Sequence, residues 1–360
     1  MPASRGFLLI LLPAVFVALT GCPGDEEEPA FKQADLTGQW RYTILFAGPS
    51  VETGAPGWAR GTFSLDAAGA ATLETYADSS GATTVPVIPP ITYALDADGV
   101  VTATTTAFTN LHGKMNPAKT FFVTTATQGA GAAARMRLGI AERVVAGTTY
   151  GAADLASTTF AFRQLGTGAA SSWLRGRIVV GADRVYSLVN LVDSSGAQGD
   201  VPNQGTLSVD GSGVVTTTVS PSFGGFMSAD KQLMIGTQMD APGAPALTAV
   251  VRSATSFAQA DITGAWHYLN LATTSGAAGW AHGTVSFDGA GVGTFGPQVD
   301  SSGGAATPPS ITLSVASDGN VTQTAPAPSV FSGILTPAKD VMIATETHEA
   351  GVYGIIVAIR

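Results

Sequence analysis

Cysteine is almost absent: Cys22 is the only one in 360 residues. That excludes an intramolecular disulfide and a cysteine-rich metal site. Charge is scarce as well. Asp, Glu, Lys and Arg make up 12% of the chain, against about a quarter in ordinary soluble domains. The net charge is −9 and no Lys/Arg run occurs, so nucleic acid is not expected as a partner. The four histidines, His112, His267, His282 and His348, stand in neither His-x-His nor His-x-x-x-His spacing. Spacing therefore indicates no metal site, and each is read as a surface or strand-face residue. There is no Gly-x-Ser-x-Gly elbow and no glycine-rich loop leading into a helix. No catalytic residue and no cofactor is expected. Past the first 21 residues no stretch reads as a helix.

What is present begins with a leader. Arg5 precedes an apolar run from Phe7 to Leu19. The run is too short for a mature membrane span and fits a secretory core. It ends Leu19-Thr20-Gly21-Cys22, which resembles the lipobox of bacterial lipoproteins. The resemblance implies a diacylglyceryl group on the Cys22 thiol, cleavage after Gly21 and acylation of the new amine. Two or three acyl chains, at about 0.8 kcal/mol per buried CH₂, would hold the protein on a membrane stably. Residues 22–34 carry the acidic run Asp25 to Glu28 with Pro23 and Pro29, and read as a solvated tether. Pro23, rather than Asp, follows Cys22. By the sorting pattern of Gram-negative lipoproteins this points to the outer membrane.

Residues 35–360 read as one β-rich unit written three times, over 35–153, 154–260 and 261–360. Trp58–Gly81 recurs at Trp173–Gly196 and Trp280–Gly303. The opening Phe31-Lys-Gln-Ala-Asp-Leu-Thr-Gly-Gln-Trp40 matches the stretch Phe257 to Trp266, and the middle copy keeps aromatics at Phe160 and Phe162. The last strand of each copy ends on an arginine: Arg143, Arg252 or Arg360. Alternating residues followed by Asp-x-x-Gly, as at Asp66–Gly69, predict strands running into tight turns with glycine at positive φ. About eight strands per repeat result. The opening motif is similar to repeats in uncharacterised secreted lipoproteins of soil bacteria, a resemblance that carries no known activity.

These strands can close in two ways. The favoured expectation is a six-bladed β-propeller with two four-stranded blades per repeat, the Trp40 strand pairing with the strand that ends at Arg360. The alternative is three tandem eight-stranded barrels. Gly38-x-Trp40 and Gly264-x-Trp266 resemble the lipocalin Gly-x-Trp, which implies a small calyx.

Asp78, Asp193 and Asp300 each open an Asp-Ser-Ser-Gly and read as turn chemistry. Three further sets, Trp58/Arg60, Trp173/Arg175 and Trp280/His282, place an aromatic and a cation two residues apart. On a strand both share one face. They are the candidate ligand-binding residues, suited to stacking and hydrogen bonding with a glycan or an envelope protein. In a propeller they would gather near the channel; in separate barrels they would not meet. The expected protein is a lipid-anchored envelope binder or scaffold. The alternatives are a propeller-type hydrolase or lyase, and a carrier of apolar ligands if the barrels hold.

Overall fold

The computed structural model describes residues 31–48, 56–129, 134–168, 171–219, 223–241, 244–274, 277–326, 330–349 and 351–360. Cys22, the leader and most of the acidic tether lie outside the described residues. The described chain is all-β, with only short 3₁₀ turns between sheets.

The first sheet contains β1 (Gly38–Ala47), β2 (Gly57–Leu65), β3 (Ala71–Asp78), β4 (Thr92–Leu95), β5 (Val100–Thr104), β6 (Thr109–Met115), β7 (Phe121–Gln128) and β8 (Arg135–Arg143). Each strand runs antiparallel to the next, and β8 returns to β1 with Trp40 opposite Arg143. The last gap, between β3 and β4, is bridged by Ala71 N–H to Ile91 O at 2.9 Å and Tyr93 N–H to Gly69 O at 2.8 Å. The sheet is therefore a closed eight-stranded barrel.

The second sheet contains β9 (Thr159–Gly166), β10 (Ser172–Val180), β11 (Val185–Asp193), β12 (Gly196–Ala197), β13 (Val201–Val209), β14 (Val214–Thr217), β15 (Gly224–Met227), β16 (Leu233–Ala241) and β17 (Ala244–Arg252). β12 is a short appendage of β11. The others close in chain order, and β17 returns to β9 with Arg252 opposite Phe160. The third sheet contains β18 (Gly264–Thr273), β19 (Ala278–Phe287), β20 (Val292–Phe295), β21 (Gln298–Asp300), β22 (Ala305–Ala306), β23 (Ile311–Val315), β24 (Asn320–Ala325), β25 (Ser332–Leu335), β26 (Val341–Glu349) and β27 (Val352–Ile359). Without the β21–β22 ribbon it closes the same way, β27 on β18.

The propeller expectation is overturned by these pairings. It required β1 to pair with the strand ending at Arg360, whereas β1 pairs with β8 of its own repeat. The physical reason lies in the alternation. One face of every strand in a repeat fills a single interior, which closure of that repeat alone buries. In the first barrel that interior holds Trp40, Tyr42, Phe63, Tyr93 and Phe122. Trp40 plugs its end: the indole N–H donates to Leu36 O at 2.7 Å, and the Arg143 guanidinium lies 4.4 Å from the indole ring centre. Trp266 with Ile262 O and Arg360 repeats the plug, and Arg252 over Phe160 replaces it in the middle barrel.

The tight turns follow the local chemistry. Asp66 Oδ1 accepts the N–H groups of Ala68 and Ala70 at 2.9 and 2.8 Å. Gly69 has φ +83°, and a Cβ there would sit 1.9 Å from Tyr93 O. No other residue fits the turn that seats β4 against β3.

The outer faces of the first and last strands are apolar too. Leu45, Leu138 and Ile140 of the first barrel meet Leu165, Ile235 and Leu247 of the second and Leu269, Ile343 and Ile355 of the third in one buried cluster. Strands covered on both faces are buried along nearly their whole length, which is what β7, β8 and β17 show. The contacts are cyclic. β2 of the first barrel packs on β16 and β17 of the second, β10 of the second on β26 and β27 of the third, and β19 of the third on β7 and β8 of the first. Three barrels thus form a head-to-tail ring with a shared core.

Candidate functional site

Two kinds of place in this ring have chemical potential: the barrel interiors and the three junctions. In the first barrel a cavity of about 330 Å³ remains among Tyr42, Ile44, Phe46, Phe63, Leu73 and Phe108. The segment between β3 and β4 adds Pro86 and Ile88 to its wall. That segment also exposes Val85, Val87 and Ile88 to solvent.

Two arginines on β8 enter this cavity. Arg137 is 7% exposed, and its guanidinium lies 4.1 Å from the Phe108 ring centre. Its Nε has no hydrogen-bond partner among the described residues. Burial lowers its pKa, and the neighbouring Tyr93 phenol partly offsets that. An arginine nevertheless stays protonated at neutral pH. Arg135 lies over Phe46 at 4.4 Å. Other polar groups of the wall are already engaged: the Tyr76 hydroxyl donates to Asp78 Oδ2 at 2.8 Å. The third barrel holds a smaller cavity, about 250 Å³, of opposite character. There Asn270 Nδ2 donates to Glu346 Oε1 at 2.8 Å, and His348 Nε2 lies 2.6 Å from the same oxygen.

The candidate ligand-binding residues all sit at junctions. Trp58, Trp173 and Trp280 are 5%, 2% and 3% exposed, so their faces are spent on packing. Arg60 lies over Trp58 at 4.5 Å and Arg175 over Trp173 at 4.6 Å, while His282 stacks on Trp280 at 5.6 Å with 14° between planes. Period two places each pair on one face, as the strand pattern requires. The three sets do not converge, because each belongs to a different pair of barrels. Trp173 Nε1 donates to Thr347 Oγ1 at 2.8 Å in the third barrel, and Trp280 Nε1 donates to Thr127 Oγ1 at 2.9 Å in the first. Met239 stands at the corresponding register position of the second barrel, and Trp58 Nε1 has no hydrogen-bond partner among the described residues.

The cations of two junctions are clamps. Arg60 Nη1 donates to Gly224 O and Thr237 O, both at 3.1 Å, and to Thr237 Oγ1 at 3.0 Å. Arg41 donates to Met227 O at 2.9 Å and also to Ser212 O across the same junction. At the second junction Arg163 Nε donates to Ser332 O and Nη2 to Gly333 O, each at 2.9 Å. Burial, with Arg175 nearby, pushes the Arg163 pKa down to about 9. Arg175 Nη1 has no hydrogen-bond partner among the described residues.

The third junction, between the last barrel and the first, is built from histidines. His112 on β6, His267 on β18 and His282 on β19 bring one ligand nitrogen each to within 4.8 Å of one another. His112 Nε2 and His267 Nε2 share a hydrogen bond of 2.8 Å, and the His112 and His282 rings stack at 3.7 Å. Sequence spacing gave no hint of this set, since His112 and His267 are 155 residues apart. The signal that finds it is the repeat register. His282 stands where the other repeats have Arg60 and Arg175, and His112 stands where they have Gly224 and Ser332. Burial keeps all three imidazoles less basic than usual. His267 falls to about 3, with His112 and Lys114 adding to the effect, and His282 falls to about 4, with His112 adding to it.

The Asp-Ser-Ser-Gly loops are Asx turns in all three barrels. Asp78, Asp193 and Asp300 each accept from the N–H and the hydroxyl of the residue two on.

No family model matches the chain, and no curated protein matches it. Among solved structures it is similar to transferrin-binding protein B of Haemophilus parasuis, with a TM-score of 0.29, 10% identity and coverage of 89% of this chain and 75% of that one. The serogroup B Neisseria meningitidis protein of the same name gives a TM-score of 0.27 and 9% identity over 89% of this chain and 76% of that one. A likeness at this level identifies neither a family nor a ligand. Among the described residues no helix is long and apolar enough to cross a membrane.

Proposed function

We propose that this is a lipid-anchored envelope binding protein whose first barrel holds a small amphipathic anion, an apolar body with one carboxylate or similar group. The observation that carries the reading is the cavity of about 330 Å³ in which buried Arg137 keeps an Nε without a partner among the described residues. That volume lies at the small end of ligand pockets, which run from about 300 to 1,000 Å³. A buried guanidinium without a carboxylate beside it is costly. A ligand anion would offset that cost through charge-assisted hydrogen bonds. The aromatic walls would take up the apolar body. Val85, Val87 and Ile88 supply an apolar approach to the cavity.

Anchoring rests on the Leu19-Thr20-Gly21-Cys22 sequence, and the outer membrane on Pro23. The test of the ligand reading compares dodecanoate with dodecanol, each displacing anilinonaphthalene sulfonate. A hydrogen bond to a charged group contributes about 1.5–3 kcal/mol, so the carboxylate should bind tenfold or more tighter than the alcohol. Arg137→Met should abolish that preference while leaving the alcohol's affinity nearly unchanged. Equal binding of the two probes to the unaltered protein would sink the reading.

A further inference from the structure

The three junctions are the same interface built three times, so their differences are informative. In the first, Arg60 fills the space over Gly224, whose Cβ would lie 2.4 Å from the guanidinium carbon. The guanidinium there is satisfied by the carbonyls and hydroxyl across the junction. In the second, Arg163 is satisfied by the Ser332 and Gly333 carbonyls. In the third, both sides have changed together. The clamp position of the last barrel is His282, the position facing it in the first barrel is His112, and His267 stands at the register position of Arg41. Relative to the first junction, histidines replace two arginines, Arg60 and Arg41, and His112 stands in place of Gly224. Among the described residues their only polar contact is the one His112–His267 hydrogen bond.

We propose that His112, His267 and His282 form a binding site for a late first-row transition ion of the Zn²⁺ class, joining the last barrel to the first. Three imidazoles suit Zn²⁺, Ni²⁺ or Cu²⁺ rather than the oxygen-seeking Mg²⁺ or Ca²⁺. A tetrahedral ion holds nitrogens about 2.0–2.1 Å away, hence roughly 3.4 Å from one another. The three nitrogens already lie within 4.8 Å, with two of them 2.8 Å apart. Ring rotation about the side-chain torsions is the adjustment required. All three residues are half-buried, so solvent reaches the cluster. Asp96 and Lys114 are the charged groups that act on His112, and among the described residues no carboxylate joins the cluster. The fourth histidine, His348, lies apart in the third barrel's cavity.

The experiment uses the full mature chain, stripped with chelator and dialysed against Zn²⁺ or Co²⁺. About one ion per chain should be retained, and Co²⁺ should give the intense visible bands of a low-coordinate nitrogen site. His112→Ala, His267→Ala and His282→Ala should each weaken binding by tenfold or more. The double replacement His112→Gly with His282→Arg rewrites this junction as the Arg60–Gly224 pairing. It should fold with an unchanged circular dichroism spectrum and retain no ion. His348→Gln should bind as the unaltered protein does. The proposal is overturned if the unaltered protein retains no ion, or if the double replacement still takes up a full equivalent.

Discussion

Replacing Arg60 by methionine separates two roles for the most conspicuous cation of the chain. As a ligand-binding residue it would be dispensable for stability. As a clamp between the first and second barrels it would not. One guanidinium nitrogen donates to Gly224 O, Thr237 O and Thr237 Oγ1 within 3.1 Å, and the group stacks on Trp58 at 4.5 Å. Hydrogen bonds from a charged donor contribute about 1.5–3 kcal/mol, and Thr237 is fully buried, so its hydroxyl would lose the Arg60 contact with no water to replace it. The cation–π contact adds about 0.5–1 kcal/mol. Methionine restores part of the apolar contact. The net cost should be about 2–4 kcal/mol, read from urea unfolding followed by tryptophan fluorescence. A second substitution sharpens the test. Gly224→Ala places a Cβ against Arg60 and should destabilise the native background by about 1–3 kcal/mol. With Arg60→Met present the clash is gone, so the two changes should couple by about 1 kcal/mol or more. A cost below about 0.5 kcal/mol for Arg60→Met, together with no coupling to Gly224→Ala, would refute the clamp and return Arg60 to the pool of ligand-binding residues.

Three further outcomes are expected. Asp35 pairs with Lys119, Asp154 with Lys231 and Asp261 with Lys339, at 2.8 to 2.9 Å. Partial burial opposes ionisation of Asp35 and Asp154, but the lysine ammonium and a backbone N–H hold both carboxyls below their usual range; at Asp261 Lys339 is the leading cause. Because the folded pKa is the lower one, the stabilisation is full above the ordinary Asp pKa and drains away as pH falls below about 4. A thermal melt series from pH 6 to pH 3 should steepen there, and replacing all three aspartates with asparagine should flatten it. Ile343→Ala in the shared core should cost about 2–5 kcal/mol, as truncation of a fully buried side chain does, and its effect should appear in the unfolding of the whole ring. Residues 256–360 expressed alone would expose Leu269, Ile343, Ile355 and Val357, and should self-associate in analytical ultracentrifugation instead of sedimenting as a monomer.

Much of the architecture was legible because local chemistry encodes it. Asp66-x-x-Gly69 announces its turn, and Asp78 opens an Asx turn as its sequence suggests. Strand order was legible and strand closure was not. A propeller and a row of barrels need the same alternation, and only the partner of β1 distinguishes them. The junctions were hidden for a related reason. The pattern at Trp58 and Arg60 shows that both side chains share a face, but not that another barrel covers it. The histidine site draws on residues from two barrels, so its spacing in the chain carries no trace. Reading His112 and His282 against their counterparts in the other repeats is what exposes it.

The head-to-tail ring has a mechanical consequence. Each barrel is held by two neighbours as well as by the chain. A cut in the connection between β8 and β9, or between β17 and β18, would sever the polypeptide yet leave every barrel gripped on both sides. Proteolytic nicking should therefore yield fragments that separate on a denaturing gel and travel together in a native one. Pulling the ring apart would require opening two junctions at once, which makes the assembly behave as a fail-safe joint, not as beads on a string.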